Sequence, residues 1–302
     1  MEKDEIEQYK QAGQITKQAR EFARDFVKRD MKLFDIAEAI ENKIRELGAE
    51  PAFPVNLSLN EVAAHYTPRP GDETLAQGIL KIDIGACMDG YIGDTAISLD
   101  LTEDQKFKEI IELNKALLKA AKEAVSPELE VKDIGDVITN KLTEYNTKKE
   151  TNFTIIAGLT GHGLDKDLIH TSPNIPNYAN SNSKKLKGMA FAVEPFVTTG
   201  SGEIYEGDGG GIYSIKNPSG QARDRDARQI LKYVNENFKT RPFCARWLER
   251  AGFNKINFAL SILTKQGIIH HYPQLIERTK SPVSQMEHSF LITDDEAICL
   301  TE

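Results

Sequence analysis

Between residues 5 and 29 apolar side chains return at Ile6, Tyr9, Ala12, Ala19, Phe22, Ala23, Phe26 and Val27. The spacing follows the helical repeat of about 3.6 residues and charges fill the other side, so one face is buried. Leu33, Ile36, Ala37, Ile40, Ile44 and Leu47 carry the same period into a second helix, with Gly48 placed to stop it. From 78 to 100 the period changes to alternation, GILKIDIG and then YIGDTAISL about Asp89-Gly90, which reads as a β-hairpin. Helices follow at about 104–125 and 133–145, then strands at about 153–159 and 188–198. The order helix, helix, strands thus occurs twice and predicts two similar halves. Residues 200–282 interrupt it with a glycine-rich turn, Gly207 to Gly211, and helical stretches near 221–238, 242–251 and 256–268. They read as an inserted helical subdomain within one domain spanning 1–302. Strands at about 285–292 and 296–300 close the chain.

A chain of 302 residues can bury one large core, so neither a disulfide nor a structural metal is needed for stability. With 38 Lys+Arg against 46 Asp+Glu the net charge is −8, which leaves no broad basic face and argues against a nucleic-acid partner. The start, MEKDEIEQYK, is acidic where a signal peptide needs basic residues, and no stretch approaches the ~18 apolar residues of a membrane span. A cytoplasmic protein is expected. Cys87, Cys244 and Cys299 are too few and scattered for a disulfide framework or a thiolate metal site. The sequons at Asn56 and Asn152 then carry no meaning.

The hairpin holds the first candidate chemistry. A loop at Asp89-Gly90 sets Asp83 opposite Ala96 and Gly85 opposite Asp94, whereas a loop at Met88-Asp89 sets Asp83 opposite Asp94. Either register puts both carboxylates on one face, with Leu80, Ile82 and Ile84 on the other. Two acids there are ordinary if the face is solvated; if it is buried they repel, unless a cation or a proton lies between them. His162 stands between Gly161 and Gly163, glycines that allow close approach to a ligand. Glu194 in FAVEPF and Glu287 in QMEHSFLI are carboxylates in apolar strands and need partners, either a metal or an arginine from elsewhere. Together, Asp83, Asp94, His162, Glu194 and Glu287 offer four carboxylates and one imidazole. That set matches two divalent cations such as Mn, Fe, Co or Zn, and two such ions a few ångströms apart are hydrolytic machinery. Gly207 to Gly211 is not a phosphate cradle, since no Lys-Ser/Thr follows it, and His270-His271 reads as a loop pair.

The segments AFPVNLSLNEVAAHYTP (52–68), KIDIGACMDGYIGDTA (81–96), LTGHGLDKDLIH (159–170), FAVEPF (191–196) and QMEHSFLIT (285–293) resemble those of type II methionine aminopeptidases, in order along nearly the whole chain. The resemblance implies the pita-bread fold, an α/β (α+β) architecture of two pseudo-symmetric halves with a curved antiparallel sheet, outer helices and a helical insertion before the last glutamate. It implies that Asp83 chelates one metal, that Asp94 and Glu287 bridge two, and that His162 and Glu194 hold the other. His65 and His170 correspond to the two histidines that face the substrate without binding metal. Phe53, Ile169 and Tyr272 correspond to the methionine pocket. Cys87-Met88, Thr171-Ser172 and Ser289 depart from the commoner pattern without removing a ligand.

What the resemblance implies is removal of the initiator methionine from nascent chains with a small second residue, by hydroxide activated on two metals, with Glu194 passing the proton to the leaving amine. The substrates would be N-terminal Met peptides and nascent proteins, and work close to the ribosome is compatible with that role. A monomer, no membrane and no nucleic acid are expected. Two rivals stand beside it. A prolidase-type peptidase usually has an added N-terminal domain, for which the 80 or so residues before Asp83 scarcely suffice. A silent pita-bread protein that binds RNA or a protein would lack ligands and carry a basic surface.

Overall fold

The first two apolar stripes form α1 (Lys3–Phe26) and α2 (Leu33–Glu46), which bury Tyr9, Ala12, Ile15, Ala19 and Ala23 on one and Leu33, Ile36, Ile40 and Ile44 on the other. The computed structural model describes all of residues 1–302. Short strands β1 (Glu50–Pro51), β2 (Asn56–Leu59) and β3 (Val62–Ala64) lead to the hairpin of β4 (Ile79–Met88) and β5 (Tyr91–Asp100). Helices α3 (Lys108–Ala124) and α4 (Val131–Lys149) come next, as the periodicity predicts. Then follow β6 (Thr154–Ile155), β7 (Thr160–Asp165), β8 (Leu168–Pro176), β9 (Met189–Val193) and β10 (Phe196–Thr198).

Between 200 and 282 two long strands, β11 (Ile204–Ile215) and β13 (Ile269–Glu277), enclose α5 (Arg225–Asn237), β12 (Phe243–Cys244), α6 (Ala245–Arg250) and α7 (Ile256–Lys265). The helices share a separate apolar core built from Ile230, Val234, Phe243, Trp247, Leu248, Leu260 and Leu263. The chain ends in β14 (Val283–Gln285), β15 (Glu287–Ile292) and β16 (Ala297–Cys299).

Nine strands make the main antiparallel sheet in the order β1-β4-β5-β15-β9-β7-β8, with β2 on β4 and β16 on β15. Ile82 and Ile84 point from β4 into the large core shared with α1 to α4, so the helices cover one face and the alternating residues Asp83 and Asp94 belong to the other. This mixed α/β fold with a curved sheet is the pita-bread architecture. No helix is long and apolar enough to cross a membrane.

Four expectations are corrected. The strand at 153–159 shrinks to β6, and 188–198 divides at Glu194-Pro195, where proline has no N–H to continue the ladder. The run Gly207 to Gly211 lies inside β11, where the pairing with β13 shifts register twice between Glu206 and Ile212. His270 and His271 lie on β13, not in a loop. Both β8 and β13 escape sequence reading because Pro173, Pro176 and Pro273 interrupt their alternation.

Candidate active site

Met88 pairs with Tyr91, so the hairpin loop is Asp89-Gly90, Asp83 lies opposite Ala96 and Gly85 opposite Asp94. On the far side of β5, Ala96 pairs with Glu287, the first residue of β15. Asp83, Ala96 and Glu287 therefore form one row across three strands. A second row runs from His162 on β7 through Ala192 on β9 to Ser289 on β15, and Glu194 stands two residues beyond Ala192. The alanines between the acids and the imidazole leave open space on that face. The backbone of Asp94 is held by its N–H, which donates to Ser289 Oγ at 3.1 Å.

The face is buried, not solvated: Asp94 is 2% exposed and Glu287 1%. One ligating atom each from Asp94, His162 and Glu287 lie within 4.8 Å of one another. His162 Nε2 is 3.7 Å from Asp94 Oδ2 and 3.5 Å from Glu194 Oε1. Asp83 joins through Gln285, whose Nε2 lies 3.3 Å from Asp83 Oδ2 and 3.4 Å from Glu194 Oε2. No lysine or arginine lines this space, so the arginine alternative for the two glutamates is not realised. Asp83 Oδ1, Asp94 Oδ1 and Glu287 Oε2 are buried without a hydrogen-bond partner. Burial pushes the Asp83 carboxyl up to about 7, and burial with the neighbouring negative charges pushes Asp94, Glu194 and Glu287 well up. Burial and the nearby His170 hold His162 well below the usual imidazole range, hence neutral and able to ligate. Orphaned oxygens around a neutral imidazole, with no protein cation among them, suit divalent metal ions.

All ten side chains nominated from the sequence line one cavity of about 300 Å³. Phe53, Ile169 and Tyr272 form part of its apolar wall, and Tyr272 Oη meets Ser214 Oγ at 3.1 Å. His65 follows β3 with its backbone in the left-handed region, φ 67°, and its ring stands edge-on to Tyr272 with centroids 5.4 Å apart. The His162 and His170 rings are 4.3 Å apart. Burial lowers the pKa of the half-buried His65 to about 4, whereas His170 is exposed on β8 at the cavity mouth.

One local expectation differs. The glycines beside His162 serve neighbouring strands: a Cβ at Gly161 would lie 2.2 Å from Ala192 O, and one at Gly163 2.5 Å from Thr171 Oγ1. Sequence reading also missed Gln285, and Asn56, whose Oδ1 accepts from the His65 N–H at 3.1 Å. Phe196, Ile212 and Pro242 also line the wall, with Ala64, Leu159 and Leu275 beside them, and nothing in their local pattern marks them out.

An oxygen-rich donor set facing a partly apolar cavity is the arrangement of a metal-dependent hydrolase. The chain belongs to metallopeptidase family M24, whose model matches residues 7–232. Membership implies a divalent metal cofactor. The methionine aminopeptidase of Archaeoglobus fulgidus is 41% identical over 303 residues, covering 99% of each chain. Among solved structures, a thermophilic Arx1 superposes with a TM-score of 0.82 at 18% identity, over 99% of this chain and 91% of that one. The methionine aminopeptidase of Rickettsia prowazekii gives 0.68 at 21% identity, over 100% and 98%. The two structures share the fold.

Proposed function

We propose that the chain is a methionine aminopeptidase of the type II branch that removes the initiator methionine from nascent chains with a small second residue. The observation that carries the reading is the convergence of all ten nominated side chains, drawn from separate segments, on one cavity. The type II assignment is supported by helices α5 to α7, which lie between Glu194 and Glu287 within 200–282, are carried between the long strands β11 and β13, and keep their own core, as a helical insertion would. Three free cysteines and an acidic balance support a cytoplasmic protein with no nucleic-acid partner.

Asp83 would hold one of two divalent ions of Co, Mn, Fe or Zn, His162 and Glu194 the other, with Asp94 and Glu287 shared. When bound, such ions supply Lewis acidity to a peptide carbonyl and lower the pKa of water. The rest falls to the chain's own side chains. Phe53, Ile169 and Tyr272 take the methionine side chain out of water. His65 and His170 both line the cavity, and each neutral imidazole can donate or accept one hydrogen bond at the scissile peptide. Glu194, fixed between His162 and the Gln285 amide, carries the proton to the leaving amine.

The test is direct. Metal-supplied protein incubated with Met-Ala-Ser should release methionine, followed by mass spectrometry, and leave a Xaa-Pro peptide intact. Cleavage of the Xaa-Pro peptide alone would turn the reading to a prolidase, and cleavage of neither would overturn it.

A further inference from the structure

Arg246 on α6 is 2% exposed, and all five of its N–H groups are spent. Nη1 donates to Glu38 Oε1 at 2.6 Å and Glu41 Oε2 at 2.9 Å, and Nη2 to Glu41 Oε1 at 2.7 Å. A charge pair between α2 and α6 needs no more than these. The remaining two donors reach a different element: Nε donates to Pro68 O at 2.9 Å and Nη2 to Thr67 Oγ1 at 3.0 Å.

Thr67 is fully buried and passes the constraint on. Its Oγ1 donates to Val55 O at 2.9 Å and its N–H to Gly210 O at 2.9 Å. Glu41 Oε1 accepts from the N–H of Val55 at 3.2 Å, so both backbone groups of Val55 hang on the same network, two residues after the pocket side chain Phe53. Two residues before Thr67, His65 sits in the left-handed region without being glycine. Gly210 packs so tightly beneath it that a Cβ there would fall 1.6 Å from His65 O. A strained residue of this kind persists only where its surroundings over-determine it.

We infer that Arg246, acting through Thr67, is a positioning residue for the reaction: it clamps the segment after His65 and so fixes the imidazole against the cavity. The inference rests on the substrate-facing role of His65 proposed above. It gives the 200–282 segment a task in the catalytic half, since α6 reaches across to the loop that bears the histidine. Neither Arg246 nor Thr67 lines the cavity, so both act at one remove.

The experiment uses the full-length, metal-loaded protein with Met-Ala-Ser as substrate. Arg246→Lys keeps the charge but loses the fork, Thr67→Val keeps the shape but loses the hydroxyl, and Thr67→Ser keeps the hydroxyl. The first two should lower kcat by about 10- to 100-fold, the scale of a small misplacement of a catalytic group. KM and calorimetric metal affinity should stay within about twofold, and Thr67→Ser should turn over like the parent. In a His65→Ala background the same two substitutions should change kcat by less than about twofold, because the group they position is gone. Equal losses in both backgrounds, or parent-like kcat in both single variants, would overturn the clamp. If Arg246→Lys does not fold, Thr67→Val decides alone, since it leaves the ion pairs intact. A His65→Ala protein as active as the parent removes the role of His65 itself, and that result is read from the single variant.

Discussion

Nε2 of His162 stands 3.7 Å from Oδ2 of Asp94, although their strands, β7 and β5, are separated in the sheet by β15 and β9. The contact joins the two halves of the fold. Each of the two intervening strands brings a glutamate of its own, Glu287 at the start of β15 and Glu194 just past the end of β9.

Asp94→Asn should abolish turnover while the fold persists, because it removes a charge from the carboxylates meant for two ions and keeps the shape. Its effect on stability should change sign with metal. In metal-free protein burial and the neighbouring Asp83 disfavour the Asp94 charge, so Asp94→Asn should melt higher than the parent. With saturating divalent metal the parent should melt higher. Calorimetry with chelator and with metal reads both orders; near-parental turnover by Asp94→Asn at micromolar metal would defeat the dinuclear reading.

Gln285→Leu should weaken metal binding by about 10- to 100-fold, the usual cost of losing a group that orients ligands. Its amide is the one donor shared by Asp83 and Glu194, and a leucine of similar size keeps the strand but leaves both oxygens free. Calorimetric metal titration checks this. An unchanged affinity would mean that the amide plays no part in ordering the ligands.

Gln285 also marks how far the sequence could be read. Alternation alone placed Asp83 and Asp94 on one face in either hairpin register, because the side-chain period of a strand is two. A carboxylate in an apolar strand flagged Glu194 and Glu287, since burial without a partner is costly. A neutral glutamine beside such a strand carries no such warning. Its role comes from pairing between β5, β15 and β9, and long-range strand order leaves no local pattern. His65, Phe53 and Tyr272 became legible through the resemblance of whole segments, not through chemistry visible at each position. Pro273 shows the opposite failure, a residue that argues against a strand yet sits at a register shift where β11 gives it room.

Tyr272→Ala should lower kcat/KM for Met peptides by about 10- to 200-fold, the range of a modest pocket contact. Tyr272→Phe should lose far less, because it gives up only the 3.1 Å contact with Ser214 and keeps the ring beside His65. Steady-state kinetics on Met-Ala-Ser distinguish the two. Equal losses would assign the effect to the hydroxyl, not to the apolar wall.

The three cavity histidines should separate by what they lose. His162→Ala should lose metal affinity, whereas His65→Ala and His170→Ala should bind metal as the parent does and lower kcat by roughly 10²- to 10⁴-fold, the range of acid-base and oxyanion contributions. Stability against pH adds an independent reading. Burial holds His65 near 4 in the fold, below the ordinary 6.5. As the pH falls through 6.5 the unfolded chain takes up a proton that the folded His65 refuses, so this histidine subtracts stability down to about pH 4. His65→Ala removes one such group, and its melting temperature, relative to the parent's, should rise steadily as the pH is lowered from 6.5 to 4. A constant difference across that range would show that His65 titrates normally in the fold, and a metal-deficient His65→Ala protein would place it among the ligands.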